Sequence, residues 1–307
     1  MNRSKGINRL YLGMILTALA APYLLGLLFT ELTLYQSLAL SEFIYMVPVL
    51  IYLVCVRGEI VDEIQVRPLA ASEFLMLILF GLLLLPVVTW LNLFSMLFSA
   101  NHVAGSLSAA GANSFWQNVF YIAVLPAVAE EFMFRGVFYH GFRSAGIRKA
   151  ALASGLCFGL LHMNINQFIY AFVLGVIFAL LVEAVGSVTA SMIPHFIINC
   201  STVFSLAVID QLAEDTPELV ETAQTVSRYE ILQALGMYTM IALVCGALAL
   251  CVFIWLAGRS GRRAHLLAAL HGADRKKGKE GRVWTFSLAL AVVIAAAYMV
   301  AAEYVVV

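Results

Sequence analysis

The chain has 307 residues, 63% of them apolar and 12% charged, with a formal net charge of zero. A soluble domain carries about 25% charged residues, so this composition and a mean hydropathy of +0.94 exclude an ordinary soluble protein and point to a membrane protein. The balance of 18 basic against 18 acidic residues offers no bulk charge for holding nucleic acid.

A helix crosses the hydrocarbon core with about 20 apolar residues, and the chain offers about nine such stretches. In chain order they are Leu10–Phe29, Leu38–Val56, Phe74–Phe98, Phe115–Tyr139, Ile147–Leu161, Phe168–Val182, Val188–Ile209, Ile231–Ala257 and Val283–Ala302. Arg3, Lys5 and Arg9 lead into the first. No small-residue cleavage site follows before Glu31, so this stretch reads as an anchor rather than a removed signal. Leu212–Glu230 reads as an acidic polar loop, and Gly258–Arg282 as a basic linker carrying Arg259, Arg262, Arg263, Arg275, Lys276, Lys277, Lys279 and Arg282. The expected fold class is all-α, a polytopic transmembrane helix bundle of about eight to nine spans. There is no soluble domain and no clear repeat.

The charges fall unevenly. The N-terminus, the Arg57–Glu73 loop, the Arg143–Lys149 loop and the basic linker gather the cations, whereas Glu31–Glu42, Ser99–Ser114 and Leu212–Glu230 hold almost none. By the positive-inside rule the first group is expected in the cytoplasm, which puts the N-terminus in and the C-terminus out. The linker then serves as a topology anchor with some attraction to anionic lipid. Cys55, Cys157, Cys200, Cys245 and Cys251 all fall in apolar stretches without a CxxC spacing and read as free, buried, small apolar residues.

Against this background Glu130 and Glu131 stand out, because they follow an uninterrupted apolar run. A carboxylate at bilayer depth costs at least about 2.5–3.5 kcal/mol on insertion scales. Glu131 and Arg135 are spaced i, i+4 and can pair on one helix face. One carboxylate would then be held ionised by the arginine while the other faces a cavity and works as a base; a buried ion pair that only locks helices is the plainer alternative. His162 shares a helix face with Phe158 at i, i+4, and alone reads as a packing residue. His195 and Asn199 repeat that spacing and can donate hydrogen bonds into one small volume, as a developing oxyanion requires; alone they equally suit an interhelical hydrogen-bond pair. Together a carboxylate, two imidazoles and an amide are the parts needed to add water to a carbonyl. His102, His140, His265 and His271 are expected in loops or near charged ends.

These residues carry a resemblance. Glu130-Glu131-Phe132-Met133-Phe134-Arg135 resembles the EExxxR motif of the CPBP family (CAAX proteases and bacteriocin-processing enzymes, the abortive-infection or type II CAAX prenyl endopeptidase family). Phe158 to His162 resembles its FxxxH motif and His195 to Asn199 its HxxxN motif, in the same order and spacing. The similarity runs from about Phe115 to Val203. It implies an intramembrane endopeptidase acting on a membrane peptide or protein. Glu130 would activate water, His162 would help hold it, and His195 and Asn199 would stabilise the oxyanion. Glu131, Arg135 and Phe158 would support them. Family members have also been described as metalloproteases; zinc on Glu130, His162 and His195 would be a sound three-ligand set. The chain has no HExxH pair, so a glutamate mechanism without a cofactor is favoured.

The chain then divides into N-terminal transmembrane helices (1–114), a catalytic helix core resembling that family (115–209), and C-terminal transmembrane helices (210–307) with the basic linker 258–282. Two other classes compete: a catalytically silent scaffold or immunity protein of the same fold, and a proton-coupled transporter, since intramembrane acids and histidines also suit proton relays. Short loops favour a bacterial cytoplasmic membrane. No nucleic-acid partner is expected, and nothing in the sequence sets an oligomeric state.

Depth poses a problem. Glu130 lies about 24 Å along its helix from Ser114, and His162 about 21 Å from Arg148 in the opposite sense. They meet at one level only if the fourth helix kinks at Pro126 or runs longer on the outer side, or if Met163–Gln167 turns inside the bundle.

Overall fold

The computed structural model describes residues 3–29, 31–56, 64–99, 114–215, 227–271 and 282–305, and these are helical with no strand among them. The helices are α1 (Arg3–Leu28), α2 (Leu34–Cys55), α3 (Ala71–Ser95), α4 (115–142), α5 (Ile147–Leu161), α6 (Ile165–Val185), α7 (Thr189–Asp215), α8 (Arg228–Arg259), α9 (Arg263–Leu270) and α10 (Phe286–Val305). Among the described residues seven helices are long and apolar enough to cross a membrane: α1, α2, α3, α6, α7, α8 and α10. Their outward faces carry large apolar side chains, such as Leu27 (84% exposed) and Met237 (73%). In water such a surface would aggregate, and in a bilayer it meets lipid. Cys55 and Cys251 share that surface, so they are free but not buried as expected.

Two of the expected spans behave differently. α4 is one long helix in which α-helical Phe115–Asn118, Leu125–Glu131 and Tyr139–Phe142 alternate with π-helical Val119–Val124 and Phe132–Phe138. α5 stops after Leu161, short of a full crossing. His162 caps it, Met163 adopts a left-handed φ of 51°, and the Asn164 side chain accepts from the Gln167 N–H at 3.2 Å to start α6. The chain therefore reverses within a few residues. Part of the expected basic linker is helical: α9 lies within it and buries Leu266 and Ala269.

The α5–α6 hairpin is closed by small residues. A Cβ on Gly175 would lie 2.6 Å from the Gly155 Cα, so the two backbones touch. Such approach is how helices pack where no hydrophobic effect drives them together. Gly175→Ala is expected to cost about 1–3 kcal/mol through overpacking and to lower the unfolding midpoint in detergent. Gly246→Ala is the control: its Cβ would meet only the Val87 Cγ2 at 3.6 Å and should leave the midpoint unchanged.

Polar ties hold the ends in register. Asn8 Nδ2 donates to the Val283 carbonyl at 2.7 Å and to Thr285 Oγ1 at 2.9 Å, fixing α1 beside the start of α10. Tyr11 Oη donates to the Cys157 carbonyl at 2.9 Å, fixing α1 to α5. Arg67 forks onto both oxygens of Glu73 at 2.9 and 2.6 Å and reaches the Val185 carbonyl and Ser260, gathering α3, α6 and α8. Buried Glu183 receives Arg143, Arg262 and His265. Hydrophobic packing fills the middle, with Tyr11, Phe134, Phe138 and Phe142 in one cluster and Leu77, Phe80, Phe178 and Leu256 in another.

Candidate active site

Glu130 and Glu131 sit in the short α-helical turn between the two π segments of α4. A π segment admits one residue more than an α turn and so redirects the side chains beyond it; such insertions gather at functional sites. The carbonyls it loosens find other donors. Ser154 Oγ donates to the Phe134 carbonyl at 2.7 Å, and His140 Nδ1 lies 2.8 Å from the Arg135 carbonyl. His140 is thus 1% exposed within α4, not at a solvated end as expected.

The two glutamates have different surroundings. Glu131 and Arg135 are both fully buried and pair at 2.8 Å. The guanidinium lies over the Phe158 ring at 4.3 Å and near the Phe178 ring at 5.4 Å, which offsets part of its desolvation. Glu131 Oε1 also lies 2.8 Å from His195 Nδ1. A carboxylate only accepts, so the proton is on Nδ1 and His195 Nε2 is turned towards Glu130, 3.5 Å from its Oε2. Glu130 itself keeps 19% of its side chain exposed.

α5 and α7 supply the rest. His162 Nδ1 donates to the Phe158 carbonyl at 2.9 Å, leaving Nε2 as its free acceptor. Phe158 stands edge-on to both imidazoles, 4.9 Å from His162 and 6.0 Å from His195 between ring centroids. Glu130, Phe158, His162, His195 and Asn199 line one cavity of about 370 Å³. Glu131 and Arg135 lie behind its wall.

The depth problem is resolved by helix length. At about 42 Å from 115 to 142, α4 exceeds the hydrocarbon thickness of about 30 Å, so distance from its far end does not report depth. Measured from Phe142, Glu130 stands about 18 Å up; His162 stands about 22 Å up from Ile147. The turn after His162 also lies within the bundle, where Asn164 and Gln167 line the same cavity.

One cavity residue escaped the sequence reading. Glu42, expected at the boundary of an outer loop, lies inside α2 and lines the cavity with Glu130. α2 and α4 run side by side, joined by the Tyr35 hydroxyl to Asn118 Oδ1 at 3.0 Å and by stacked Tyr35 and Tyr121 rings. Seven residues further on, Glu42 comes level with the Leu125–Glu131 turn. Its Oε2 is buried with no hydrogen-bond partner among the described residues. The signal available in the sequence was a lone carboxylate between the apolar runs Leu38–Leu40 and Phe43–Ile44, beside Ser41.

Among the described residues no three His, Cys, Asp or Glu side chains converge as a metal-holding group, and that includes Glu130, His162 and His195.

Comparison with known proteins bears on this region. Residues 111–201 match the family model described as type II CAAX prenyl endopeptidase Rce1-like. The matched stretch includes all three motifs and covers less than a third of the chain. No curated protein and no solved structure matches the chain.

Proposed function

We propose that the protein hydrolyses a peptide bond in a membrane-associated peptide or protein, with Glu130 as the base. The observation that carries this reading is the single cavity lined by Glu130, His162, His195 and Asn199. These come from three helices that only the folded bundle brings together.

A water between Glu130 and His162 Nε2 gives its proton to the Glu130 carboxylate as its oxygen attacks the substrate carbonyl. The carbonyl electrons move onto oxygen, where the Asn199 amide and His195 in its doubly protonated form, donating through Nε2–H, receive the charge; a single donor of this kind contributes about 2.7–4 kcal/mol. Glu130 then returns the proton to the departing nitrogen as the C–N bond breaks. Glu131, anchored by Arg135, fixes the His195 ring and so acts as a positioning residue. Glu42 offers a second acceptor to the N–H groups of a peptide lying in the cavity.

The same reading places the Arg67, Arg143 and Lys149 end of the bundle in the cytoplasm of a bacterial cell, by the positive-inside rule. It uses no metal.

The test is cleavage of a panel of membrane peptides by the purified full chain in liposomes, before and after exhaustive chelation. Retained cleavage is expected. Loss that zinc restores would overturn the metal-free part of the reading, and proton-coupled uptake without cleavage would overturn the whole.

A further inference from the structure

We propose that the groove between α5, α6 and α10 binds an anionic phospholipid of the adjoining leaflet. The groove encloses about 470 Å³, within the usual range of ligand sites. Lys149 and Arg282 stand at its mouth. Both are exposed, and neither meets a carboxylate among the described residues. In this they differ from Arg67, Arg143 and Arg262 at the same end of the bundle, which are engaged by Glu73 and Glu183.

Below the cations the wall is wholly apolar: Leu152 and Leu156 from α5, Phe172 from α6 and Leu288 from α10. Lys149, Leu152 and Leu156 follow at i, i+3 and i+7, so one helix face carries a cation at the membrane boundary and an apolar stripe beneath it. Trp284, 61% exposed, sits beside Arg282 at the level where indole rings favour the interface. A phosphate on the two cations with an acyl chain along the stripe matches every element of this surface. A soluble anion would leave the apolar half empty. Basic pockets between transmembrane helices take acidic headgroups for this reason.

The groove is separate from the catalytic cavity. Phe158 and His162 lie about half a helix turn around α5 from the Lys149 stripe. The proposal therefore stands or falls independently of peptide hydrolysis.

The experiment is native mass spectrometry of the detergent-purified full chain, titrated with dioleoyl phosphatidylglycerol or with dioleoyl phosphatidylcholine. The parent is expected to retain the glycerol lipid about 10-fold better than the choline lipid, and K149Q/R282Q to lower that preference about 10-fold, to parity. Leu152→Trp, at a side chain already 51% exposed, fills the groove with both charges intact and should also reduce retention. Equal retention by the parent and K149Q/R282Q would overturn the proposal, as would equal binding of the choline lipid. Unchanged retention by Leu152→Trp, or displacement of the lipid by excess inorganic phosphate, would overturn the acyl-chain part. Thermal melts of both variants confirm that any loss is not unfolding.

Discussion

Glu130→Gln is expected to lower peptide hydrolysis by about 10²–10⁴-fold, the contribution typical of a positioned general base, while the bundle stays folded. Glutamine keeps the shape and a hydrogen-bonding oxygen but cannot take a proton from water. Glu130 is not an anchoring group: it is partly open to the cavity, and its recorded polar neighbour is His195 Nε2 at 3.5 Å. Removing its charge therefore leaves no buried cation without a partner. The measurement is the single-turnover rate on a membrane peptide cleaved by the parent, with unfolding midpoints recorded for both proteins. Retention of more than about one tenth of the parental rate would remove Glu130 from the role of base.

Arg135→Leu should fail differently, by destabilising the protein. Arg135 and Glu131 are both completely buried and bonded at 2.8 Å. Removing the guanidinium leaves a buried carboxylate without its cation, a change that typically costs about 3–5 kcal/mol. The stacking of the guanidinium on Phe158 and Phe178 is lost as well. A marked fall in the unfolding midpoint in detergent is expected. Glu131→Gln combined with Arg135→Leu should recover part of that stability, because the unpaired charge is gone. It should not recover hydrolysis, because His195 then lacks the carboxylate that orients it. A single Arg135→Leu variant as stable as the parent would show that the buried pair contributes nothing to the stability of the bundle.

Much of the site could be read from spacing alone. The i, i+4 intervals of Glu131/Arg135, Phe158/His162 and His195/Asn199 survive folding because each lies within a helix or at its cap, where local geometry decides which side chains align. What spacing could not supply was the relation between helices. Glu42 has no motif partner, and its nearness to Glu130 depends on α2 and α4 lying parallel in a register set by Tyr35, Asn118 and Tyr121. The burial of His140 depends on a carbonyl released by a π segment, which no apolar periodicity announces. The spans were legible because hydropathy over about 20 residues is a strong signal. The bounds of α5 were legible in the sequence as Ile147–Leu161, yet its reversal at Met163 rests on one left-handed residue that composition does not reveal.

The π segments of α4 also bear on what this gene can tolerate. Each holds a surplus residue, so the glutamate turn is set in phase by two insertions, one at Val119–Val124 and one at Phe132–Phe138. A one-codon deletion in either would let the helix relax into regular winding and swing everything on one side of it by about 100° relative to the other. Glu130 would then lose its alignment with either the helix before the cavity or the helix after it, although every side chain named above would still be present. For α4, length is inherited as strictly as residue identity.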